Sequence, residues 1–146
     1  MAETIAEGLA QDAFAEGLEF RSAGTHAAES SPASGGAQRT AARRGRSLSA
    51  HRSTPLSREL VGWADWVLVM SPGHLDQVER LGGVGKVALL GAFAFGEGEE
   101  SGTTSRHPLA VPDPFGGDDE RYDETYRTLE RYVNMALRRL VESREE

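Results

Sequence analysis

The spacing of apolar residues changes several times along the chain. Over residues 2–15, Ile5, Leu9, Ala10, Ala13 and Phe14 recur near helical spacing, which predicts an amphipathic helix broken by Gly17. Residues 18–22 read as a short strand closed by Ala23-Gly24. After a stretch rich in Ser, Gly and Pro at 30–36, residues 37–44 predict a short helix with Ser34 as candidate cap and Gly45 as its stop. A second short helix is predicted over 57–64. The run Trp66-Val67-Leu68-Val69-Met70 is continuously apolar and of strand length, as suits a strand buried on both faces of a parallel sheet. Ser71 and Pro72 supply an N-cap and a first-turn proline for a helix that Gly82 ends. Residues 87–90 predict another strand and residues 91–111 a long irregular loop. From residue 118 or 119 the stripe Tyr122, Tyr126, Leu129, Val133, Leu137 and Leu140 predicts a long amphipathic helix.

Strands that alternate with helices require crossover connections. The expected architecture is therefore α/β, a parallel sheet with helices on both faces. At 146 residues the chain is expected to form one domain, residues 1–146. In such sheets ligands collect beyond the carboxyl ends of the strands. The turn at 22–24 and the segment around Asp113 both fall on that side.

Composition narrows the chemistry. A formal charge of −7 speaks against a nucleic-acid binder, since phosphate backbones reward concentrated positive charge. The chain has no cysteine, which excludes disulfides, thiolate metal sites and a cysteine nucleophile within it. His26, His51, His74 and His107 lack metal-ligand spacing, so neither a metal nor another cofactor is expected. The amino-terminal residues are acidic where a signal peptide is basic, and no stretch approaches the roughly 20 apolar residues of a membrane span. A cytoplasmic location without membrane attachment is the expectation.

Asp113 lies between Pro112 and Pro114, which restrict the backbone on each side and hold the carboxylate in one direction. That suits a general acid. The same Pro-Asp-Pro-Phe-Gly-Gly run is also ordinary turn chemistry, and the residues alone favour the turn. Ser22 at a strand end and the isolated His51 read as structural groups. Residues 30–58 hold Arg39, Arg43, Arg44, Arg46, Arg52 and Arg58 and no acid. They would form either a positive field attracting phosphorylated partners or, the favoured reading, a solvated helix face. No aromatic residues interleave with them as nucleic-acid stacking would require.

Three segments together resemble the low-molecular-weight protein phosphatase family: Arg21-Ser22-Ala23-Gly24-Thr25-His26, Leu48-Ser49-Ala50-His51-Arg52-Ser53 and Val111-Pro112-Asp113-Pro114-Phe115-Gly116-Gly117. The similarity runs from Met1 to about Leu140. It implies a three-layer parallel sheet and hydrolysis of phosphotyrosine or phosphoarginine on proteins through a cysteinyl-phosphate, without a metal. Phosphorylated proteins are then the partners. On this resemblance Asp113 is the acid that protonates the leaving group. Phe115 is the aromatic wall of the pocket, whose low polarity favours the protonated carboxyl. Ser22 and His51 belong to a hydrogen-bonded network behind the phosphate loop. In the family, Met-Ala-Glu follows a Cys-x5-Arg loop. The resemblance therefore implies that this chain begins just after its nucleophile, lacks the first, central strand of the sheet and is inactive as written. The Ser-Ala-Gly turn and the Asp-Pro-Phe-Gly-Gly form look closer to bacterial members, the protein-arginine phosphatases included. The alternative from another class is a non-catalytic domain that binds phosphorylated proteins.

Overall fold

A computed structural model describes residues 1–12, 17–25, 30–96 and 109–144. Helix α1, Ala2–Asp12, buries Ile5 and Ala10 of the predicted stripe together with Ala6. The remainder of the helix expected to residue 15, residues 13–15, lies outside the described residues. Helix α2, Gly35–Arg43, starts on Ser34, whose Oγ accepts the N–H of Ala37 at 3.3 Å. Helix α3, Arg58–Trp63, starts in the same way on Ser57, with the N–H of Leu60 at 3.2 Å. Strand β1 is Val67–Val69 and helix α4 is Pro72–Val78. A wider turn, Glu79–Gly83, ends α4, with Gly82 at φ 99°. Strand β2, Val87–Leu89, leads directly into helix α5, Leu90–Phe95, and helix α6 is Asp119–Arg144.

The two strands are parallel, with Val67, Leu68 and Val69 opposite Val87, Ala88 and Leu89. Because side chains alternate across a strand, the sheet has two different faces. Val67, Val69, Val87 and Leu89 join Val61, Leu75 and Val78 of α3 and α4 in one apolar cluster. Leu68, Met70 and Ala88 pack against the other cluster, built from α1, α5 and α6 around Ile5, Phe93, Tyr126, Leu129 and Val133. Helices cover both faces, so the expected three-layer α/β arrangement is present.

Two expectations are corrected. Residues 18–22 form no strand: among the described residues none of their backbone groups pairs with a neighbouring strand. Leu18 and Phe20 pack, half-buried, against the α1/α5/α6 cluster, so the apolar alternation is real. A strand also needs a hydrogen-bonded neighbour, which alternation cannot supply. The predicted loop at 91–111 begins instead as α5, where Leu90, Gly91, Phe93 and Ala94 are buried and Gly96 at φ 74° closes the helix. A short helix that is apolar all round has no polar face to reveal its period. Its Gly91 is held so close to the chain that an added Cβ would lie 2.5 Å from the Leu109 carbonyl oxygen. The rest of that expected loop, residues 97–108, lies outside the described residues.

Arg39, Arg43, Arg52 and Arg58 of the arginine-rich span are solvent-exposed, and acids of α6 line part of it: Arg39 bonds Asp119 at 3.1 Å, and Arg43 reaches Asp119 at 3.6 Å and Asp123 at 3.1 Å. Arg44 lies 3.9 Å from Asp123 and 5.2 Å from the Tyr126 ring centroid, and Arg46 Nε donates to the Tyr126 hydroxyl at 3.0 Å. Ser34 Oγ and the Tyr122 hydroxyl, 3.0 Å apart, complete the seam. The acids that neutralise the span lie about 80 residues away in sequence, where no local reading finds them.

Candidate active site

The Asp113 segment is pinned where β1 ends. Val111 is buried, and its N–H donates to the carbonyl oxygen of Met70 at 2.8 Å. Beyond it Asp113 Oδ1 accepts the N–H of Phe115 at 3.0 Å, and the N–H of Gly117 closes onto the Pro114 carbonyl at 2.8 Å. Gly116, at φ 83°, takes the left-handed conformation that this turn requires. Asp118 Oδ1 then accepts the N–H of Arg121 at 2.9 Å, satisfying a free donor in the first turn of α6. Asp113 thus acts as a turn former through one oxygen and presents an exposed carboxylate at the carboxyl end of β1. Such a group can give or take a proton from a ligand held beyond the sheet.

Phe115, next to the Asp113 turn, is 77% exposed.

Ser22 and His51 do come together, on a residue that was not among the expected site residues. Ser22 Oγ donates to Glu3 Oε1 at 3.0 Å, and His51 Nδ1 lies 3.9 Å from Glu3 Oε2. The Glu3 carboxylate stands in the first turn of α1, where the helix dipole favours negative charge. An acid at the head of an amphipathic helix, followed by a second one turn later, was the available signal. That second acid is Glu7. Partial loss of water raises its carboxyl pKa above the ordinary value; the Glu3 charge and a hydrogen bond with Glu3 add to the rise, and His51 opposes them. The four expected site residues therefore form two groups. Ser22 and His51 share Glu3, while Asp113 bonds within its own turn and Phe115 stands exposed beside it.

Among the described residues no group of three or more His, Asp or Glu side chains is placed to hold a metal. His26 and His107 lie outside the described residues. No described helix is long and apolar enough to cross a membrane.

The described residues form a parallel α/β domain with helices on both faces and a carboxylate on a proline-bounded turn at a strand's carboxyl end, the edge at which ligands of such sheets sit. The low molecular weight phosphotyrosine protein phosphatase family matches residues 1–146, and the chain belongs to that family. It is 35% identical over 138 residues to a protein-arginine-phosphatase of Geobacillus stearothermophilus, covering 93% of this chain and 86% of that one. It is 29% identical over 126 residues to the low molecular weight protein-tyrosine-phosphatase Etp of Escherichia coli K12, covering 85% of this chain and 77% of that protein. Among solved structures, the YwlE arginine phosphatase of G. stearothermophilus superposes with a TM-score of 0.80 at 31% identity over 99% of this chain and 88% of that one. The tyrosine phosphatase Wzb of E. coli K30, in complex with sulphate, gives a TM-score of 0.77 at 28% identity over 95% of this chain and 87% of that one. The family and these relatives are protein phosphatases, hydrolases of phosphorylated proteins.

Proposed function

We propose that the domain serves hydrolysis of phosphotyrosine or phosphoarginine on proteins through a cysteinyl-phosphate, with Asp113 as the proton donor. In that reaction a thiolate attacks phosphorus, the bond to the leaving oxygen or nitrogen breaks, and Asp113 gives that atom its proton. Water then attacks the thiophosphate, the P–S bond breaks, and the Asp113 carboxylate takes the proton from water. The observation that carries the reading is the turn itself: the Val111-to-Met70 hydrogen bond at 2.8 Å fixes the carboxylate at the end of β1, the side on which such sheets bind ligands. Ser22 and His51, gathered on Glu3 at the head of α1, act as support for that site.

The 146 residues contain no cysteine, so on their own they offer a proton donor and no thiolate. Assayed as such, the chain is inactive in this reading, and a phosphoprotein-binding role is the second reading that the same fact favours. The test is hydrolysis of an aryl phosphate and of phosphoarginine, first by the 146-residue chain and then by a fusion carrying an apolar strand and a Cys-x5-Arg loop ahead of Met1. Turnover is expected only from the fusion. Within the fusion, Asp113→Ala should slow turnover by about 10²- to 10⁴-fold while phosphate-analogue binding holds, as loss of a general acid does. Unchanged turnover in that variant would remove Asp113 from the reaction.

A further inference from the structure

Aromatic rings and arginines alternate along one strip of the surface, at the amino end of β1. Trp66, the residue before β1, is 45% exposed and packs on the Phe93 ring of α5 with centroids 4.9 Å apart. The Arg139 guanidinium of α6 lies 4.8 Å from the Phe93 centroid and donates to the Phe93 carbonyl. Phe95, 41% exposed, meets the buried Tyr132 edge-on, and Arg131 lies 5.4 Å from the Phe95 centroid. The Asp113 turn hangs from Met70, beyond the other end of the same strand. The strip is therefore separate from the candidate active site.

Its charge is as uneven as its polarity. Asp119 and Asp123, near the start of α6, are taken up by Arg39, Arg43 and Arg44. Toward the other end of the helix Arg131 and Arg139 are exposed, and among the described residues neither meets a carboxylate. Asp65 and Glu142, the acids nearest in sequence to Trp66 and Arg139, form no ion pair with them. Two unpaired cations beside bare rings stand against the sign of a chain that carries −7 overall. An arginine packed on a ring is already restrained, so it loses little freedom when its remaining N–H groups grip a carboxylate.

We infer that this strip is a docking site for an acidic segment of a partner protein, one that sets an aromatic or leucine side chain between carboxylates. The apolar side chain covers Trp66 and Phe95, and the carboxylates take Arg131 and Arg139. A nucleic acid also carries negative charge, but its long phosphate backbone would meet the net −7 of the chain, whereas a short segment meets the arginines alone. Docking here needs no nucleophile and no part of the Asp113 turn. It stands or falls apart from the phosphatase reading.

The probe is the peptide Asp-Glu-Phe-Leu-Glu-Asp, blocked at both ends, and its control carries Asn and Gln in place of the acids. Trp63→Phe leaves Trp66 as the single tryptophan, so emission reports the strip directly. Saturable one-to-one binding is expected, with a shift of Trp66 emission to shorter wavelength. The amide control should bind at least about tenfold more weakly. Arg131→Glu should weaken binding by a similar factor, while Arg58→Glu, the same change of charge at an exposed arginine of α3, should bind normally. The amide control decides the matter even where Arg131→Glu fails to fold. Equal binding by both peptides, equal weakening by the two arginine variants, an equal Trp66 response to a short oligouridylate, or burial of Trp66 by self-association of the chain would each overturn the inference.

Discussion

Gly36 offers a test of how tightly α2 is seated on α6. It is buried in the first turn of α2, and a Cβ built on it would lie 2.4 Å from Tyr122 Cε2 and 2.7 Å from Cδ2 and Cζ. Ordinary contact begins near 3.4 Å, so the ring would have to retreat by about 1 Å. It has little room to do so: Tyr122 is buried, and its hydroxyl is 3.0 Å from Ser34 Oγ, the cap of the same helix. Alanine in place of glycine gains roughly 0.5–1 kcal/mol of helix propensity, whereas overpacking a closed site costs about 1–3 kcal/mol. The net expectation for Gly36→Ala is a loss of about 1–2 kcal/mol, a melting temperature lower by about 2–8 °C for a domain of this size. Gly62 in α3 is the internal control. Nothing lies within 4 Å of the position that a Cβ would take there, so Gly62→Ala should keep the propensity gain and melt about 1–4 °C higher. Thermal unfolding followed by circular dichroism, with both variants in one buffer, measures the contrast. Equal shifts of the same sign would refute the packing argument, because propensity alone would then explain both.

The ionic part of the same seam is more exposed and should be worth less. Asp123→Ala removes one of the two carboxylates on Arg43 and the one beside Arg44, and a loss of up to about 1 kcal/mol in urea unfolding is expected, shrinking as salt is raised to about 1 M. Glu7 supplies a pH test. Its folded-state carboxyl titrates above the ordinary 4.5, so folding favours the protonated form; that contribution is whole below 4.5 and is lost as pH rises through the raised value. Glu7→Gln should therefore melt higher than the parent at pH 7, with the gap closing toward pH 4. A gap of the opposite sign, or one that ignores pH, would contradict the carboxylate pairing.

What the sequence disclosed divides by the range of the interaction involved. The Ser34 cap, the helix start at Pro72 and the apolar run at β1 depend on neighbours within a few residues, and each appears close to where the pattern put it; Ser57, read as the first residue of its helix, is its cap instead, and the Ser71 side chain makes no capping bond. The Asp113 turn was legible for the same reason, since prolines and glycines dictate its backbone locally. Features set by distant groups were not. Glu3 is recruited by Ser22 and His51 from 19 residues away and more, and the arginines of α2 are neutralised by acids about 80 residues on. Helix α5 was missed for a different cause: apolar all round, it carries no polar face from which a period could be read.

One carbonyl joins the Asp113 turn to the sheet. Met70 is the last apolar residue of the β1 run, and its C=O accepts the N–H of Val111 at 2.8 Å. Val111 is buried while Asp113, two residues on, is exposed, so the main chain anchors the base of the turn and leaves the carboxylate open to solvent. Because that anchor uses backbone atoms, the place of the carboxylate depends on Pro112, Pro114 and Gly116 setting the turn's dihedrals more than on the side chain of Met70.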